Sequence, residues 1–106
     1  MNRNIEASER RNMYHIVFFS VPPEKRGEVS KIIKALKEVA EKFKGVQSVG
    51  LFFPRGSGYM YATITNYQDY ATWEKYWRSP EVTAVREKAI AIITKQMDMF
   101  FDEPAF

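Results

Sequence analysis

The side chain best suited to proton transfer is His15, in the run "MYHIVFFSV". It is the one histidine of the sequence, and imidazole is the side chain whose ordinary pKa lets it serve as a general base near neutral pH. No serine, cysteine or carboxylate stands at a motif spacing from it, so a packed strand histidine is the competing reading. A second concentration of chemistry is "NYQDYATWEKYWRSPEV", Asn66 to Val82, which carries five aromatic rings. Helical spacing puts Tyr70, Trp73 and Trp77 on one face and leaves Tyr67 and Tyr76 off it. Rings so placed can hold a flat substrate by stacking. Asn66 before them and Arg86 beyond them are donors able to polarise an oxygen or hold an oxyanion. The alternatives are ordinary: the tryptophans fill core against strands, and Arg86 forms a salt bridge or snorkels.

Metal chemistry is sharply limited. There is no cysteine, which excludes disulfides and Cys-ligated metal or iron–sulfur sites, and one histidine cannot make a polyhistidine site within a subunit. No metal site and no cofactor are expected.

The elements that must position these residues follow from periodicity and punctuation. Residues 1–12 are polar and read as a flexible arm, residues 103–106 as a tail, and 13–102 as one domain. Met13–Val21 is β-branched and aromatic and stops at Pro22-Pro23, so it reads as a strand. From 24 to 44, Val29, Ile32, Ile33, Leu36, Val39, Ala40 and Phe43 make one apolar helical stripe, and Gly45 is placed to end it. Val46–Phe53 and Tyr59–Thr65 read as a hairpin around the Pro- and Gly-rich turn at 54–58. Asn66 is then expected to cap a helix, with Asp69 at its third position. Ser79-Pro80 restarts the helix, and Lys95–Phe101 alternates as a fourth strand.

The order β-α-β-β-α-β predicts an α+β, ferredoxin-like subunit: four antiparallel strands with the helices on one face. The other face must then be polar or covered. Depending on the phase of each strand, it carries apolar residues such as Val17, Phe19, Tyr59, Tyr61, Met97 and Met99. An apolar face with nothing left in the chain to cover it predicts a partner, most simply a second copy meeting it sheet to sheet in a homodimer. The net charge of +3 is mixed in sign along the chain, which does not demand nucleic acid. The apolar runs "IVFF" and "AIAII" are too short to span a membrane, and a soluble cytoplasmic protein is expected.

The element order, the aromatic second helix and the following "WRSPEVTAVREKA" resemble the antibiotic-biosynthesis-monooxygenase-like family of dimeric α+β barrels. The resemblance implies a dimer whose sheets pack into a barrel, with a pocket in each subunit between the sheet and the second helix, Tyr70–Trp77. Some members of that family oxidise aromatic polyketides without metal or flavin, and others bind haem. In the haem branch a histidine stands seven residues after the serine, and this chain has Arg86 there. Guanidinium cannot ligate iron, which argues against haem. For the cofactor-free branch the resemblance implies Tyr70, Trp73 and Trp77 against the substrate and Asn66 and Arg86 as catalytic candidates that polarise an oxygen; His15, on its own chemistry, is a third catalytic candidate. The expected function is therefore binding, or oxidising without a cofactor, a small aromatic or polyketide-like molecule. Two alternatives stay open. One is a non-catalytic dimeric module. The other is a single-stranded RNA binder, because "RGSGYMYA" partly resembles the strand-three signature of the RNA-recognition motif, which would use Tyr59 and Tyr61.

Overall fold

The computed structural model describes residues 12–56 and 60–102. Most of the expected arm, the expected tail and Tyr59 lie outside the described residues. The chain folds as β1 (Met13–Ser20), α1 (Arg26–Ala40), β2 (Val46–Phe52), β3 (Tyr61–Tyr67), α2 (Tyr70–Trp77), α3 (Pro80–Ile90) and β4 (Lys95–Asp102). A short 3₁₀ turn at Pro23–Lys25 leads into α1. The four strands form one antiparallel sheet in the order β2-β3-β1-β4. This is the expected α+β, ferredoxin-like arrangement. Among the described residues no helix is long and apolar enough to cross a membrane.

Local chemistry explains most of the boundaries. Gly45 has φ +95°, and a Cβ there would stand 2.8 Å from atoms of Gln68 and Thr72, so only glycine turns α1 into β2 at this place. Pro80 forces Ser79 into an extended conformation, which separates α2 from α3, and the Ser79 hydroxyl accepts from Val82 N–H. One boundary differs from expectation. Asn66 does not cap α2, because β3 runs on to Tyr67, where it pairs with both Met13 and Val46. The cap is Asp69, whose Oδ1 accepts from both the N–H and the hydroxyl of Thr72 at 2.8 and 2.6 Å. Two bonds to one carboxylate oxygen outweigh what an asparagine three residues earlier could offer.

Alternation on the central strands decides which residues meet the helices. On β3, Tyr61, Thr63, Thr65 and Tyr67 are buried beneath them, and on β1 the same face carries Met13, His15, Val17 and Phe19. Val17, Phe19 and Tyr61 are therefore core residues, not part of the bare face where they were expected. Phe19 and Tyr61 stack at 5.4 Å and are 4% and 6% exposed. Tyr61, expected to stack on an RNA base, is thus turned inward and does not present its ring on the bare face. The opposite face holds Tyr14, Ile16, Phe18, Ile64, Met97, Met99 and Phe101 in register across three strands. Met97, Met99 and Phe101 are exposed there.

The core is divided. Tyr67 and Tyr76 centre one cluster with Met13, Ala40 and Val82, and Phe19, Val29 and Tyr61 form another. The gap between them sits over Thr63, Thr65 and His15 at the middle of the sheet. Two threonines in mid-sheet are too short to reach the helices, so the layers do not close there.

Candidate functional site

That gap is a cavity of about 90 Å³ between the sheet and all three helices. Most of its wall is aliphatic, from α1, α3 and the turn after α3. Its titratable groups gather at one end: His15, Tyr67, Tyr76 and Arg86, with Trp77 alongside; Thr63 and Thr65 of β3 and Gln96 of β4 also line it.

His15 is 2% exposed and held from several sides. Phe100, directly across on β4, stacks on its ring at 4.3 Å, and Trp77 meets it edge-on at 4.9 Å. Nε2 lies 2.9 Å from Asp98 Oδ2, while Gln96 Nε2 donates to the other oxygen of the same carboxylate at 2.7 Å. Burial lowers the His15 pKa below its ordinary value of 6.5. Hydrogen bonding and attraction to Asp98 offset this in part, and the Arg86 charge adds to the lowering. The imidazole is thus neutral at pH 7, and Asp98, an acceptor, selects the tautomer with the proton on Nε2. Nδ1 keeps its lone pair. Fixed tautomer, oriented ring and a carboxylate behind it are the requirements of a general base.

Tyr67 closes β3 and Tyr76 faces it from α2, with ring centroids 5.5 Å apart. The two residues are 0% and 1% exposed, yet neither hydroxyl has a hydrogen-bond partner among the described residues. Burial pushes both phenols well above their ordinary pKa of 10, for Tyr67 with a further push from Tyr76. Arg86 draws both back slightly, and Thr65 does the same for Tyr67 without reaching good hydrogen-bond geometry. The hydroxyls therefore stay protonated at any physiological pH. They are donors held dry without an acceptor, an arrangement that costs free energy in the empty protein.

Arg86 projects from α3 over the face of Trp77, its guanidinium carbon 3.6 Å from the ring centroid. Nη1 donates to the Trp77 carbonyl at 3.2 Å, which fixes the group in place. Among the described residues no carboxylate pairs with it. A half-buried cation bordering an apolar cavity, with N–H groups to spare, favours negative charge placed beside it.

The expected site residues are thus only partly brought together. His15, Arg86 and Trp77 line the cavity. Asn66 is on β3 but on the opposite, bare face of the sheet, so it cannot act with them in this cavity; its buried Oδ1 is without a partner among the described residues. Tyr70 is 41% exposed and lies against Trp73 at the surface. Trp73 does not line the cavity; it packs at 5.3 Å against Phe100 and stacks behind Trp77, with its Nε1 unpaired. Tyr67 and Tyr76, expected off the inward face, are the buried rings. Asp98, Thr63 and Thr65 also escaped the sequence reading, although two threonines on the inward phase of a central strand are a legible sign of an unfilled core. No group of three or more His, Cys, Asp or Glu residues that could hold a metal occurs among the described residues.

The model of the family described as Stress responsive A/B Barrel Domain matches residues 13–100. No curated protein sequence matches the chain. Solved structures similar in fold include a Caulobacter crescentus CB15 protein provisionally described as an antibiotic biosynthesis monooxygenase. It has a TM-score of 0.84 at 12% identity, with 96% of this chain and 98% of that one covered. SnoaB, a cofactor-independent oxygenase from Streptomyces nogalater, superposes with a TM-score of 0.81 at 12% identity, covering 91% and 96% of the two chains. The hydroxynitrile lyase of Passiflora edulis does so with a TM-score of 0.79 at 12% identity over 92% and 97%. At such identities the likeness is one of fold, and it spans proteins that carry different chemistry.

Proposed function

Because the chain belongs to the stress-responsive A/B barrel domain family, we propose that it acts as a homodimer whose subunits each bind a small hydroxylated molecule in this cavity. His15 removes the hydroxyl proton and the remaining polar groups hold the resulting oxyanion. The step is balanced within the site: the O–H bond of the ligand breaks, the proton passes to Nδ1 of His15, and the electron pair stays on oxygen. The imidazolium so formed faces Asp98, and the oxyanion accepts from Tyr67, Tyr76 and Arg86. The observation that carries this reading is the pair of buried, unpaired phenol hydroxyls beside an unneutralised guanidinium and a neutral, carboxylate-oriented histidine. A hydroxyl that yields its proton to His15 and keeps the charge on oxygen serves all of them at once.

A proton-abstraction site of this kind suits a cofactor-independent oxygenase, where a phenolate would be the electron donor to O₂. It suits a hydroxynitrile lyase equally, since collapse of the hydroxynitrile to a carbonyl compound begins with its hydroxyl. We take the oxygenase reading further for this chain: the lining rings favour an aromatic body, and the volume favours one ring over a fused polyketide. The homodimer rests on the bare, apolar sheet face, which a second copy would cover.

The experiment is titration of 4-nitrophenol, whose phenolate absorbs visibly, together with O₂ uptake in the presence of electron-rich phenols. The protein should bind the probe as phenolate and lower its apparent pKa by about one unit or more. His15→Gln should keep binding but lose turnover, and Arg86→Leu should abolish the pKa shift. Binding of the neutral phenol with no shift would overturn the oxyanion reading.

A further inference from the structure

We infer that the ligand is an amphiphile: an oxyanion-forming head at Tyr67, Tyr76 and Arg86, and a flexible apolar tail running along β1 toward Phe19. This rests on the reading of the cavity as a ligand site and adds the class of molecule that fills it. The polarity of the cavity is graded along the strands. At one end the sheet presents Tyr67 and His15, and Arg86 and Tyr76 converge from the helices. Two residues further along β1 stands Val17, and two further Phe19, which meets Val29 and Ile33 of α1 and Ile92 and Ile93 after α3. From His15 to Phe19 the strand advances about 13 Å, the length of an extended alkyl chain rather than of a compact polar metabolite.

At the far end the polar side chain is Gln96, across the ladder from Phe19 on β4. Apart from Arg86 and the neutral His15, no charged side chain lines the cavity, and Gln96 is engaged by Asp98. A ligand with polar groups at both ends would have only the remainder of the Gln96 amide for the second, and a charged group there would be buried without a counter-ion. A ligand with a head alone would leave the Phe19 end empty, and the division of the core into two clusters would serve nothing in binding. Arg86, a donor without acceptor capacity, favours a head that accepts and carries negative charge, and both buried hydroxyls can donate to it as well.

The test uses straight-chain carboxylates from acetate to decanoate as stable oxyanion mimics, with the matching primary amides as neutral controls, followed by calorimetry at pH 7. Affinity should rise about fourfold with each methylene through the shorter members and then stop rising once the cavity is filled. Each carboxylate should bind at least tenfold tighter than its amide. Tyr76→Phe should weaken all chain lengths by a similar factor. Ile33→Phe should abolish the chain-length dependence while 4-nitrophenol still binds as phenolate. If 4-nitrophenol binds as phenolate but affinity is flat from acetate to decanoate in the unmodified protein, the tail is refuted and the oxyanion site stands. If affinity rises with chain length equally for carboxylates and amides and no phenolate forms, the oxyanion head is refuted and with it the amphiphile. If neither series binds, both fall.

Discussion

Replacing Tyr76 by phenylalanine should make the protein more stable and a poorer binder of oxyanions. The hydroxyl is buried in a residue 1% exposed and has no partner among the described residues, whereas in the unfolded chain it is hydrated. Leaving a buried donor unsatisfied costs about 1–3 kcal/mol, and phenylalanine removes that cost while keeping the ring. Against this stands the small void left by one oxygen atom, so a net gain of about 1 kcal/mol or somewhat more is expected. For a domain of this size each kcal/mol raises the melting temperature by about 4–8 °C. Tyr67→Phe should behave alike, and because the two rings are in contact the double variant should depart from additivity. The assay is urea and thermal unfolding at pH 7 without ligand, at one protein concentration so that any assembly contributes equally. If either variant melts lower than the parent by 1 kcal/mol or more, that hydroxyl is satisfied in the folded protein. The claim that two donors are held in reserve for a ligand would then be wrong.

His15 is the one histidine in the chain, so its ring resonances can be titrated by NMR without assignment. The midpoint should lie below 6.5 and fall further in Asp98→Asn, which removes the groups that raise it, and a midpoint above 6.5 would contradict the burial argument. Since the folded state then binds this proton less readily than the unfolded chain, stability should rise with pH through the window between the lowered value and 6.5. In alkali the sign reverses. Tyr67 and Tyr76 ionise more readily once unfolded, so stability should fall as pH rises above 10, by up to about 1.4 kcal/mol per pH unit for each, and Tyr67→Phe should reduce that slope. On the bare face, Met99→Glu places a charge amid Ile16, Phe18 and Phe101, and light scattering should show it dissociating the proposed dimer; a parent protein that is monomeric at micromolar concentration would refute that dimer. Asp69→Ala should cost about 1 kcal/mol in urea unfolding through loss of the α2 cap.

Local sequence chemistry determined the order of the elements. The proline pair at Pro22-Pro23, a helix-ending glycine, the Ser79-Pro80 break and the stripe from Val29 to Phe43 act within a few residues, and each could be read without knowing the rest of the chain. It also limited the chemistry, since a chain without cysteine and with one histidine has few routes to metal catalysis. What it could not determine was phase. "HIVFFSV" is apolar on both faces of its strand, so alternation alone could not say whether Val17 and Phe19 or Ile16 and Phe18 meet the helices. The direction in which α2 faces depends on its packing against Tyr67 and Phe43, which buries Tyr76 and leaves Tyr70 at the surface. Register across strands brought Asp98 to His15 over 83 positions of sequence, and the helix layer brought Arg86 to the same end. A cavity is the place where distant side chains fail to meet, and no local pattern encodes that. Only the tertiary structure could show two tyrosine hydroxyls buried without partners among the described residues, beside a cavity.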